Sequence, residues 1–169
     1  MEIQSSDAER KRARHLHAVL LFDLVVTHIF LFLMALTLMG SFGTFPIIMV
    51  VILSVILLTY ILVMAKRSLT TEPSWYVRCH WQFAAKRARL FLFLFLALGT
   101  LTLALYYGGT YFQWKKVATW ALTGGFGLLP FMVSVLGLIV IEFDAEHQSR
   151  VGKVPAGALV NYPPPAEEA

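Results

Sequence analysis

The chain has 169 residues, of which 58% are hydrophobic and 14% charged, whereas soluble domains hold about 45–50% apolar and about 25% charged residues. This balance excludes a disordered chain and an ordinary water-soluble fold. The formal charge is +4, with the lysines and arginines beside apolar runs, so the basic partner surface is anionic lipid headgroups at the cytoplasmic face and not nucleic acid. One cysteine, Cys79, excludes an internal disulfide and any CxxC redox or zinc site.

Residues 1–15 form a polar basic lead carrying Arg10, Lys11, Arg12 and Arg14. Four apolar runs follow, at 16–39, 46–64, 90–107 and 117–141. A bilayer core of about 30 Å takes about 20 helical residues, so each run is a candidate span, and each must be helical because lipid offers no partner to exposed backbone groups. The first is too long for the apolar part of a cleaved signal and reads as a retained helix. A Gly-rich turn, Gly40 to Phe45, joins it to the second, with Pro46 placed to open the next helix.

Between the second and third runs, residues 73–89 read as an interfacial amphipathic helix. Val77, Trp81, Ala84 and Ala88 fall on one stripe, and Arg78, Gln82 and Arg89 on the opposed one. Its bland role is a basic anchor in the headgroup layer. Its sharper role is a lipid- or partner-binding surface made by Trp75, Arg78, His80, Trp81, Lys86, Arg87 and Arg89. The tetrads Lys11 to Arg14 and Lys86 to Arg89 repeat the pattern Lys-Arg-Ala-Arg, a faint parallel repeat that the charge bias alone would also produce. In the fourth run, Gly124, Gly125, Gly127, Pro130, Ser134 and Gly137 predict close helix packing, with Pro130 kinking the helix and freeing a carbonyl near Phe126. Residues 142–169, with Pro155, Pro163, Pro164, Pro165 and Glu167-Glu168, read as a disordered cytoplasmic tail.

Twelve of the fourteen basic residues lie before the first run, between the second and third, or after the fourth. The positive-inside rule therefore places both termini and the central loop in the cytoplasm, as expected of a bacterial inner-membrane protein. The fold class is an all-α membrane protein of four transmembrane helices in two hairpins, N-in and C-in. A bias this strong disfavours an antiparallel dual-topology dimer.

Intramembrane polar residues are functional candidates by default. Asp23 is the acid within a span, and Thr27 and His28 follow it. Asp23 is expected to pair with Arg87 or Arg89 or to bond Tyr60, and failing that to couple to a proton or cation. His17 and His80 share a level at which a b-type haem could be held, while His28 would need an imidazole from another subunit. Glu142, Asp144, Glu146 and His147 have metal-compatible spacings, but they form one set at a helix end. They are expected to neutralise the basic ends of spans one and three, and no metal site follows. HExxH, Walker A, GxSxG and Rossmann fingerprints do not occur, so no catalytic residue is assigned and no cofactor is expected.

The function expected from these features is non-enzymatic. The chain would be an accessory, assembly or anchoring subunit with an integral membrane partner, or a homo-oligomer. The alternatives are a small cation-coupled transporter using Asp23 and a haem- or quinone-binding redox subunit using His17, His28 and His80.

Overall fold

The computed structural model describes residues 5–163, and among them there is no strand. Four helices are long and apolar enough to cross a membrane: α1 at Asp7–Phe42, α2 at Phe45–Thr71, α3 at Trp75–Tyr111 and α4 at Lys116–Arg150. A short helix α5, Ala156–Asn161, follows. The architecture is that of an integral membrane protein. Pro164, Pro165, Glu167 and Glu168, assigned above to the tail, lie outside the described residues.

The helices overrun the apolar stretches because capping chemistry, not hydropathy, sets their ends. α1 begins in the polar lead at a capping box: Glu9 N–H donates to the Ser6 hydroxyl, and the Glu9 carboxylate accepts from Ser6 N–H at 2.8 Å. α1 closes at Gly43, whose φ of +60° suits glycine alone at little cost, and α2 opens on Phe45 and Pro46. α3 ends in a Schellman turn, with Trp114 N–H on the Gly109 carbonyl (2.9 Å) and Gln113 N–H on that of Thr110 (3.2 Å). Gln113, at φ +55°, takes the left-handed position that glycine usually fills. Gly152 (φ +74°) does the same after α4, where Lys153 N–H reaches the Gln148 carbonyl at 2.9 Å.

The described residues group into two compact units. The first comprises residues 5–88 and 139–163, that is α1, α2, the opening of α3, the close of α4, and α5. The opening of α3 is continuous with its apolar run. Trp75, Tyr76, Val77, Cys79, His80, Trp81, Gln82, Phe83, Ala84, Ala85 and Ala88 are buried there, and Lys86 and Arg89 are exposed. Gln82, expected on the solvated stripe, donates to the Ala65 carbonyl of α2 at 2.5 Å, and Trp81 Nε1–H donates to the Arg12 carbonyl of α1 at 2.8 Å.

Part of the expected tail is ordered in the same unit. Residues 142–150 continue α4, and α5 folds back so that Gly157 lies against Phe83 and Lys86 donates to Asn161. Buried Val154, Pro155 and Ala158 supply the apolar contact that a proline-rich composition conceals.

The second unit, residues 89–138, is the hairpin of the apolar parts of α3 and α4. Phe91, Phe95 and Phe131 form a ring cluster with centroids 5.8 to 6.2 Å apart. Of the small residues in α4, Gly127 marks the close approach: a Cβ there would collide with the Thr102 side chain and come within 3.0 Å of its Cα. Gly124, Gly125 and Gly137 have open space where a Cβ would stand. Ahead of Pro130 the helix is π-wound over Thr123–Leu128. Proline has no N–H to give, and widening the preceding turn rearranges the carbonyls it leaves. Ser134 donates to the Pro130 carbonyl at 2.8 Å.

Candidate functional site

The first unit holds two buried polar clusters. One was expected around Asp23, and the other joins residues far apart in sequence.

In the second of these, His17 of α1 lies 2.5 Å from Glu142 Oε1 of α4 through Nδ1, and 3.2 Å from His80 Nδ1 of α3 through Nε2. His80 Nε2 lies 3.0 Å from the Lys153 carbonyl. Arg87 donates to Glu142 Oε2 at 2.8 Å and to the Ile141 carbonyl at 2.7 Å. His17, His80 and Glu142 have no solvent exposure.

Donor–acceptor matching assigns the protons. A carbonyl only accepts, so His80 Nε2 carries hydrogen. With that buried ring neutral, its Nδ1 is bare and accepts from His17 Nε2–H. The Glu142 carboxyl is thus shared between Arg87 on one oxygen and His17 Nδ1 on the other. Burial, and next the charge on His17, push the His80 ring down to about 3, in keeping with its neutral role.

This cluster sets a pH dependence. Between about pH 6.5 and about pH 3 the unfolded chain binds a proton at His80 that the folded chain does not. Folding stability from this group is therefore complete above pH 6.5, the ordinary value, and is lost as pH falls toward 3. The midpoint of thermal unfolding of the wild type should fall through that window, and His80→Asn should flatten the fall. An equal slope in both proteins would remove His80 as its source.

A haem between His17 and His80 needs a lone pair from each ring aimed at one iron, with metal–nitrogen distances of about 2 Å on opposite sides. Here the rings bond each other edge to face, with centroids 5.3 Å apart, and their other nitrogens are engaged by Glu142 and Lys153. The pair does not fit a haem in this arrangement.

The acids do neutralise the basic ends of the helices. Glu142 takes Arg87, and Glu146 takes Arg14 at 3.1 Å and Arg150 at 2.9 Å. Asp144 and His147 are exposed, and among the described residues no group of three or more metal-ligating side chains gathers. Of the proposed headgroup surface, Trp75, His80 and Trp81 are buried, Arg78 and Arg87 are half-buried, and Lys86 and Arg89 are exposed. Arg78 donates to the Glu72 carbonyl at 3.2 Å, and Arg87 also covers the Phe83 ring at 4.2 Å.

The Asp23 cluster is different from expectation. Asp23, Thr27, His28 and Ser54 are all at most 1% exposed. Arg87 is engaged at Glu142, and Tyr60 bonds His15 at 2.8 Å. Asp23 Oδ2 instead accepts from the Ser54 hydroxyl of α2 at 3.0 Å. Ser54 was missed, although it is the one polar residue between Pro46 and Leu58, which is the signal that could have found it. The backbone is π-wound over Asp23–Leu31. His28 Nδ1–H donates to the carbonyl of Asp23, five residues back, at 3.0 Å, reinforcing the i to i+5 register of that winding. π-Turns of this kind are often found at functional positions.

Comparisons of the chain with protein-family models, with curated proteins and with solved structures gave no match. The function is argued from these two clusters and the surfaces around them.

Proposed function

We propose that the chain is a non-enzymatic subunit of a larger membrane complex, held in the inner membrane with both termini cytoplasmic. The observation that carries this reading is where the charged side chains go. Glu142, Glu146 and Glu72 are each taken by arginines of the same chain, so the polar chemistry outside the spans is used to brace helix ends against one another. Catalysis needs polar groups converging on a cleft, and the groups of the His17 cluster are instead sealed by their own partners. The 210 Å³ cavity between α1 and α2 is walled by apolar residues such as Leu31, Met34, Pro46 and Val50.

The outward face of α4 supports a helix partner. Gly125 is exposed and has nothing within 4 Å of its Cβ position, next to the exposed Phe126. Small residues let a neighbouring helix approach closely in lipid, where packing drives association. Exposed Lys86 and Arg89 suit anionic headgroups at the same membrane face as the termini.

Gentle detergent purification through a C-terminal tag should bring down a membrane protein in fixed proportion, or a defined homo-oligomer. Gly125→Leu should cut the recovered partner several-fold while the thermal midpoint of the chain itself changes little, because Gly125 is exposed and its Cβ position is open. A monomer without partners would overturn the subunit reading. A complex indifferent to Gly125→Leu would overturn this interface.

A further inference from the structure

The Asp23 cluster is left unexplained by a role as subunit, and its bonds do not close. Asp23 Oδ2 is held by Ser54, while Oδ1 and the Thr27 hydroxyl have no partner at full hydrogen-bond geometry, although the hydroxyl lies beside the carboxyl. Asp23 and Thr27 are four residues apart in one helix, hence neighbours along its surface, and both are fully buried. The Asp23 ion-pair contact among the described residues is His28, whose Nδ1 is 3.6 Å from Oδ1. The proton on that nitrogen is directed to the Asp23 carbonyl at 3.0 Å. From α2 the facing group is Ser54, which is not ionisable.

An uncompensated carboxylate in a dry interior is strongly unfavourable. One positive charge must therefore accompany it, and two buried oxygens await it. We propose that Asp23 Oδ1 and Thr27 Oγ1 form an exchangeable site for one small monovalent cation inside the membrane, a proton or a sodium ion, with Ser54 fixing the other carboxyl oxygen. A single carboxylate balances a single charge. A divalent ion would be left half-neutralised in a dry interior. The site stands independently of the subunit reading, since an anchoring protein and a transporter could each carry it.

The test is covalent labelling of the purified full-length chain with dicyclohexylcarbodiimide, which attacks protonated carboxyls in apolar surroundings, followed by peptide mass analysis at Asp23. A proton site gives labelling that declines by roughly tenfold per pH unit on the alkaline side of its titration, whatever the sodium concentration. A sodium site gives labelling that sodium suppresses and potassium does not, with the suppression lost in Thr27→Val. Asp23→Asn, an uncharged stand-in of the same shape, should remain folded by gel filtration and lose the label. Two results overturn the proposal. Absence of label at every pH, with or without sodium, means a carboxylate paired permanently with His28. Constant labelling across pH and sodium means a proton that does not exchange.

Discussion

Glu142→Ala is expected to destabilise the protein by about 3–5 kcal/mol, the cost of leaving buried charge without its counterion. The substitution leaves the largely buried Arg87 without its carboxylate, and the His17 ring, at zero exposure, without the acceptor on its Nδ1 side. It also unseats His80, whose Nδ1 accepts from His17. For a chain of this size each kcal/mol moves the unfolding midpoint by about 2–4 °C, so a loss of roughly 6–20 °C follows in detergent. Glu142→Gln retains one acceptor and should fall between wild type and alanine, which keeps the test usable if the alanine variant does not accumulate. Glu146→Ala is the comparison. Glu146 is also nearly buried, but its partners Arg14 and Arg150 have side chains about half exposed, at 48% and 54%. Arginines that can turn to water lose little, about 0–1 kcal/mol. Equal losses at the two acids would refute the assignment of the brace to the Glu142–His17 pair.

The glycines of α4 should separate just as sharply. Gly127→Ala places a methyl group into Thr102, whose Cβ would be 2.9 Å away and whose Cα would be 3.0 Å away. A backbone atom cannot rotate aside, so the two helices must part at a cost of about 1–3 kcal/mol or more. Gly109→Ala meets only the side chain of Thr119, at 2.7 to 3.2 Å, and should cost less because that side chain can turn. Gly124→Ala and Gly125→Ala meet nothing and should be neutral or gain up to about 1 kcal/mol from helix propensity. Thermal unfolding of the four variants gives the ranking. A loss at Gly125→Ala as large as at Gly127→Ala would place the close contact wrongly.

The chain shows how far local pattern reaches in such a protein. The capping box at Ser6 and Glu9 is written in four consecutive residues, and it alone explains why α1 starts in polar sequence. The neutralisation of Arg87 and Arg14 by the acids after span four was also legible, because acids and bases both collect at the ends of the apolar runs. The partner of Asp23 was not. Arg87, Arg89 and Tyr60 were credible by depth, and Ser54 won because α2 turns that face toward α1. The small-residue stripe of α4 was visible as a stripe, but which of its glycines touches a neighbour was not.

Hydropathy is a sum along one segment, so four apolar helices and the charge bias at their ends follow from composition and order alone, though not where each helix starts and stops. A bond between helices depends on their relative depth and rotation, which no single segment contains. His17 meets Glu142 across 125 residues and His80 across 63. Only the packed chain brings that relay together, and only there does Asp23 keep one carboxyl oxygen on Ser54 while the other goes without a hydrogen bond.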